Sequence, residues 1–318
     1  MESQSSTKAL VGTALFSAIT VVLYVISTYI PIIDILVILG VHLPIVVIYL
    51  KYGGKYAGVS TAVTTILLTF ILGPTWSLRF LFLNAVVGLV LGYTSTKKFN
   101  SITSIAMLSL ITLLSVGVFY KLFTFMTGVD LMASSVDTVI KSMEASLATL
   151  KESGVDKTLT AGINLDDLKT YLLMAMPGIS IVTMGVLSYI YYLVTQKILK
   201  RFGFVIEPVK EFSNWYLQSR IAYPLMILLF GVMIFESKEL SIVGYTIRII
   251  FLMAFTINAL STISYYLKKF SFPNPLIGII VFVVLMTLQN VLIFIGLIEY
   301  ALNLRALDNK RASIRRKK

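Results

Sequence analysis

Residues 9–30 read ALVGTALFSAITVVLYVISTYI, a run without one Asp, Glu, Lys or Arg. A helix gains ~1.5 Å per residue, so ~20 apolar residues cross the ~30 Å hydrocarbon layer of a bilayer. This run is long enough to span. It is too long for a signal-peptide core and has no clear small-residue cleavage site after it, so it reads as a signal anchor. The same reading repeats along the chain at 32–50, 57–73, 76–93, 102–126, 171–195, 221–235, 241–267 and 275–298. Gly and Pro punctuate the joints: Pro31, Gly53-Gly54 and Gly73-Pro74, with Lys97-Lys98 ending the fourth span.

Composition agrees. Of 318 residues 57% are apolar and 13% charged, with no cysteine, and the mean hydropathy is +0.89. A soluble domain carries about 25% charged residues, so this chain cannot cover a water-facing surface. A soluble enzyme, a disordered chain, a disulfide-stapled domain and a zinc module are excluded. The expected fold is an all-α polytopic membrane protein, a bundle of about 8–10 transmembrane helices.

The net charge of +12 reads as membrane topology, because Lys and Arg collect in cytoplasmic loops. No basic stripe interleaved with aromatics marks a nucleic-acid surface. With the N-terminus inside, Lys51, Lys55, Lys97, Lys98, Lys197, Lys200, Arg201, Lys210, Arg220, Lys268 and Lys269 also fall inside, whereas Lys141, Lys151, Lys157, Lys169 and Lys238 fall outside with most of the acids. Nine spans leave the C-terminus outside, yet Arg305, Lys310, Arg311, Arg315, Arg316, Lys317 and Lys318 prefer the inside. A hairpin turning at Gln289-Asn290 returns the tail to the cytoplasm. The protein is expected in the bacterial plasma membrane.

Two segments are not spans. Residues 127–170 form an outside insertion in which Met132, Val136, Val139, Ile140, Met143, Leu147 and Leu150 repeat at helical spacing. Asp130 is the expected N-cap, Ser153-Gly154 the stop and Asn164 the next cap, with Asp166 and Asp167 in the first turn. This helix either rests on the bundle or membrane surface or covers an outside pocket. On the inside, Pro208 opens a short interfacial helix with Phe212, Trp215 and Tyr216 on one face.

Motif chemistry is sparse. With one histidine, His42, and no cysteine, neither a multi-His metal site nor a thiolate site is expected. The phosphate-loop, G-x-S-x-G, H-E-x-x-H and G-x-G-x-x-G patterns are missing. No enzyme, metal or cofactor is expected. The polar residues inside spans need reasons, since a charge at the bilayer centre costs about 2.5–3.5 kcal/mol on insertion scales. Arg79 lies one turn into the fourth span and either snorkels outward or lines a pocket. Asn84 lies deeper, Tyr120 and Lys121 near the outer end of the fifth span, Arg248 and Asn258 in the eighth, and His42 near the middle of the second. Small residues recur at Ala14-x-x-x-Ala18, Gly54-x-x-x-Gly58-x-x-x-Ala62 and Gly88-x-x-x-Gly92, a spacing that lets helix backbones approach.

Ala9 to Leu23 with Ala14 and Ala18, the Pro31–Lys51 stretch, and Lys51-Tyr52-Gly53-Gly54-Lys55-Tyr56-Ala57-Gly58 resemble the membrane-embedded S components of energy-coupling-factor vitamin transporters. That resemblance covers about residues 8–200. It implies six helices around a substrate pocket near the outer face, and an alanine motif, here Ala14 and Ala18, docking on a transmembrane coupling subunit driven by ATPases. The whole chain is similar to the YybS-like family of bacterial polytopic membrane proteins. The closing Gly296-Leu297-Ile298-Glu299-Tyr300 and Asn303-Leu304-Arg305 resemble that family's end, where an Asp more often stands at the place of Glu299. The organisation expected is an S-component-like membrane domain over 1–200, further helices over 201–304 and a basic tail over 305–318.

Two functions lead: small-molecule binding and uptake with separate coupling partners, and a non-transporting scaffold or regulatory partner; a self-sufficient secondary carrier or lipid handler is a third, against which the shortage of acids in the spans counts. The first places a ligand near the outer surface at Asp34, Trp76, Arg79, Asn84 and Tyr120, with Pro177 breaking the sixth helix beside it. Membrane lipid is a partner in either case. A Ser146→Cys variant should react with a membrane-impermeant thiol reagent in intact cells; labelling only after lysis would place the insertion inside.

Overall fold

The structure is a computed structural model that describes residues 2–30, 38–152, 164–234 and 241–307. Pro31, Asp34, Ser153-Gly154 and the basic residues after 307 lie outside the described residues. The helices are α1 Glu2–Tyr29, α2 Leu43–Tyr52, α3 Gly54–Leu72, α4 Pro74–Arg79, α5 Val86–Thr96, α6 Ser101–Thr127, α7 Leu131–Glu152, α8 Leu165–Arg201, α9 Ser219–Ile234, α10 Ser241–Lys269, α11 Asn274–Thr287 and α12 Gln289–Leu302. A π-helical turn, Phe80–Ala85, joins α4 to α5. Among the described residues six helices are long and apolar enough to cross a membrane, counting Pro74–Thr96 as one. Two further apolar helices, α2 and α9, are shorter, and α11 and α12 form one apolar pair bent by 111°. The chain is an all-α polytopic membrane protein.

Local signals set many of these boundaries. Asn100 accepts the Thr103 amide at 2.8 Å and starts α6. Asp130 accepts from Met132 and Ala133 and starts α7; Asn164 does the same for α8 through Asp166 and Asp167. Each cap satisfies amides that a helix start leaves open. Gly53 (φ +94°) and Gly73 (φ +87°) make one-residue links between helices, a conformation that favours glycine.

The chain divides into two compact units, Met1–Lys169 with Thr183–Val209, and Thr170–Val182 with Lys210–Lys318. In the first, α1 packs on α3 through a hydroxyl-rich face: Thr13, Ser17 and Thr20 are buried, as are Ser60, Thr61 and Thr64. Ser17 and Ser60 share a hydrogen bond of 2.7 Å. Lipid is as apolar as leucine, so close backbone packing and such bonds replace the hydrophobic drive of a soluble core. Gly88 and Gly92 serve the same end between α5 and α2. A Cβ on Gly88 would stand 2.8 Å from the His42 carbonyl oxygen, and one on Gly92 would stand 2.5 Å from Tyr49 Cβ. Ala14, Ala18, Gly58 and Ala62 instead face outward from the unit.

In the second unit, α12 lies against α10. Gly296 is pressed so closely on Phe255 that a Cβ there would meet the Phe255 carbonyl oxygen. Phe251 and Phe255 pack with Tyr300 and Ala222, and Leu292 packs with Ala259 and Leu260.

Several sequence expectations change. His42 is not in the middle of a helix but in the turn before α2, whose first turn carries Pro44; a proline lacks the N–H that an interior position would use. Pro177 does not break α8, which is continuous from Leu165 to Arg201. The expected interfacial helix at 208–220 is only the 3₁₀ turn Phe212–Asn214. The Gln289-Asn290 break is present, with Leu288 between the two helices.

The Gly296→Ala variant should lose about 1–3 kcal/mol to overpacking, measured as a lower Tm in detergent. Gly58→Ala, with open space at its Cβ position, should leave Tm unchanged.

Candidate functional site

Among the described residues, buried polar side chains gather around His42 in the first unit and around Arg305 in the second. In the first unit, Gly73 and Pro74 turn the chain into α4, which presents Trp76 and Arg79 one turn apart. The Arg79 guanidinium lies over the Trp76 ring, 5.2 Å from its centroid. Buried Tyr24 of α1 donates its hydroxyl to the Trp76 carbonyl at 3.1 Å and sets its ring edge-on to Phe80. The π turn that follows shifts the helix register. The Ser115 hydroxyl of α6 takes up the Phe82 carbonyl at 2.7 Å. A π turn costs regular hydrogen bonds, and such turns are frequent at functional sites. This one holds Asn84, buried, with its Oδ1 unpartnered.

One turn beyond Asn84, Gly88 touches the His42 carbonyl. His42 is fully buried. Its Nε2 and Thr195 Oγ1 of α8 share a hydrogen bond of 2.7 Å. Its ring stands edge-on to Tyr191, with centroids 5.1 Å apart. Its Nδ1 has no partner. The first unit thus gathers Thr195 and Tyr191 around His42, and stacks Arg79 on Trp76 on the stretch that also carries Asn84. His42 Nδ1 and Asn84 Oδ1 are without a hydrogen-bond partner, as are the hydroxyls of Thr13, Thr61, Thr64 and Ser95. A buried polar atom without a hydrogen bond costs about 1–3 kcal/mol.

Of the residues expected at the site, Trp76 and Arg79 come together and Asn84 lies deeper on the same continuous stretch. Tyr120 is half-buried with its ring against Phe119, centroids 6.0 Å apart. Asp34 lies outside the described residues. Thr195 and Tyr191 were missed; both sit on α8 four residues apart, an i, i+4 pair that hydropathy alone passes over. Beyond the bundle, Lys169 bonds Asp137 of α7 at 2.7 Å. This hydrogen bond first, and the Lys169 charge second, hold the Asp137 carboxyl below its ordinary range.

The second centre was not foreseen. Arg305, counted above with the basic tail, is buried within the second unit and pairs with Glu299 of α12, Nε to Oε1 at 2.9 Å, both side chains fully enclosed. Its Nη1 donates to the Ser213 carbonyl at 3.1 Å and to Ser261 Oγ at 2.7 Å. Its Nη2 donates to Asn258 Oδ1 at 3.1 Å. The Tyr216 ring centroid is 5.9 Å from its Cζ. Asn258 is itself anchored, Nδ2 donating to the Gly296 carbonyl at 3.1 Å. Ser261 donates to the Phe212 and Trp215 carbonyls, both at 2.7 Å, which explains why 212–217 need not be a helix. The signal in the sequence was Asn258, Ser261 and Thr262 at i, i+3, i+4 in a span, and an acid in the last apolar run with an arginine six residues on. Among the described residues no group of three or more His, Asp and Glu side chains could hold a metal.

The model of a family described as predicted membrane protein (DUF2232) matches residues 18–299. The "Uncharacterized protein YybS" of Bacillus subtilis (strain 168) is 22% identical over 272 residues, covering 84% of this chain and 87% of that one. No solved structure gives a significant match.

Removing one member of a buried ion pair strands the other charge, at about 3–5 kcal/mol, whereas replacing both with apolar groups is often neutral. Glu299→Leu alone should therefore lower Tm strongly, and Glu299→Leu with Arg305→Leu should recover most of the loss. Equal losses in the single and double variants would show that the pair is not coupled.

Proposed function

This chain belongs to the DUF2232 family of predicted membrane proteins, and we propose that its first unit binds a small molecule within the membrane and serves its uptake, in the manner of an S component working with separate energy-coupling partners. The observation that carries this reading is the set of polar groups in the first unit, Arg79 stacked on Trp76 together with the buried, unpartnered His42 Nδ1 and Asn84 Oδ1. A ligand with hydrogen-bonding groups satisfies those two atoms, and Arg79 adds a planar fork suited to a carboxylate, phosphate or ring carbonyl. Trp76 adds a face for a flat ring. The outward-facing Ala14 and Ala18 of α1 leave a shallow strip on which a coupling subunit docks. They are not used in the α1–α3 contact, which runs through Thr13, Ser17 and Thr20, so the strip is open to a partner.

The second reading, a scaffold or regulatory partner that transports nothing, draws on the tight α2–α5 contact at Gly88 and Gly92 and on the closed Glu299–Arg305 centre. Mass spectrometry of small molecules retained by the purified protein separates the two. On the uptake reading one compound is retained stoichiometrically. Arg79→Ala then weakens its binding about ten- to a hundredfold, the loss of one charged hydrogen bond of about 1.5–3 kcal/mol, and Trp76→Ala weakens it as well. Leucine at both Ala14 and Ala18 leaves binding intact and breaks co-purification with a coupling subunit. Retention of nothing, with Arg79→Ala as stable as the parent, returns the chain to the scaffold reading.

A further inference from the structure

The groups around Arg305 form a cage that accepts hydrogen bonds and donates none to it. Asn258 commits its Nδ2 to the Gly296 carbonyl, so its Oδ1 points at the guanidinium, where it also takes the Leu217 amide at 3.3 Å. Ser261 has one hydroxyl hydrogen and spends it on the Phe212 and Trp215 carbonyls, so a lone pair faces Arg305 Nη1. Ser213 offers a carbonyl, Glu299 a carboxylate and Tyr216 a ring face. All of these come from α10, α12 and the 212–217 segment, and the bonds that aim Asn258 and Ser261 do not involve Arg305. The cage is organised by its own walls. Its chemistry selects a planar cation with several N–H donors.

Arg305 fills this cage incompletely. A guanidinium presented end-on meets a carboxylate with two parallel bonds. Here only Nε reaches Oε1, and the fully buried Glu299 Oε2 has no partner. The arginine arrives on a non-helical strap, 303–307, with left-handed backbone at Asn303 (φ +46°) and at Ala306 (φ +53°). Asparagine tolerates that region, while alanine adopts it only when its surroundings enforce it. The Ala306 amide donates to the Asn303 carbonyl at 2.9 Å and the Asn303 amide to the Glu299 carbonyl at 2.8 Å; the contacts of Arg305 in the cage hold the strap in this shape together with these bonds.

We infer that the Glu299 cage is a binding site for an alkylguanidinium cation, which the chain's own Arg305 occupies in cis, and that such a cation competes with Arg305 and releases the 303–307 strap. The site lies wholly in the second unit and is independent of the ligand proposed for the first.

Chemical rescue tests this. In lipid nanodiscs, Arg305→Ala should lower Tm by about 10 °C, the scale of an uncompensated buried charge in a chain of this size. Millimolar methylguanidinium should restore most of that drop, while sodium chloride at the same ionic strength should not. With Glu299→Gln added, methylguanidinium should restore nothing. Rescue that is absent, or that persists without the carboxylate, overturns the site. If Arg305→Ala does not accumulate, hydrogen exchange of the parent protein decides. Methylguanidinium should speed amide exchange in 303–307 relative to sodium chloride, and unchanged exchange there overturns the competition.

Discussion

Buried away from water, a charge survives only where other parts of the chain replace that water, and the second unit is arranged around one such charge. The Arg305 guanidinium ties α10, α12 and the 212–217 segment together through Asn258, Ser261, Glu299 and the Ser213 carbonyl. Buried irregular backbone is tolerated when protein groups satisfy its amides and carbonyls. The 212–217 segment meets that condition: Ser261 takes two of its carbonyls and Asn258 takes the Leu217 amide. The bend at Leu288 and the close approach of Gly296 to Phe255 bring Glu299 to the same point.

The first unit obeys the same constraint with neutral groups. Its α1–α3 contact is made of serine and threonine hydroxyls, several bonded to carbonyls one turn back in their own helix, as Ser17 is to Thr13 and Thr20 to Phe16. Its π turn is supported across helices by Ser115. The satisfaction is incomplete: the hydroxyls of Thr13, Thr61, Thr64 and Ser95 are without a hydrogen-bond partner, and so are His42 Nδ1 and Asn84 Oδ1. A hydroxyl can turn toward a carbonyl of its own helix, whereas the imidazole nitrogen and the amide oxygen are fixed by their rings and planes, which sets those two apart.

Much of the helical layout was legible because it is written locally. Apolar run length marks the long spans, Asp130 and Asn164 mark helix starts, and Gln289-Asn290 marks the break in the last apolar stretch. What failed depends on partners distant in sequence. Arg305 reads as a topology signal because nothing next to it shows that Glu299, Asn258 and Ser261 await it. Phe212, Trp215 and Tyr216 read as an interfacial helix because aromatic spacing does not reveal that Ser261 takes the segment's carbonyls. Pro177 reads as a break because helix propensity takes no account of neighbouring helices, and α8 runs through it. Of the expected site, the Trp76–Arg79 pair was local and legible; the partners of His42, Tyr191 and Thr195, lie more than a hundred positions from it and were not.

The account holds that buried side chains, and not water, satisfy the non-helical backbone of the second unit. Amide hydrogen exchange at Leu217 in nanodiscs tests this most directly, because its N–H bonds to the Asn258 side chain. The account predicts that Leu217 exchanges as slowly as the middle of α10 and that Asn258→Ala releases it. Exchange at Leu217 as fast as in an unfolded peptide, with the parent protein folded, would contradict it.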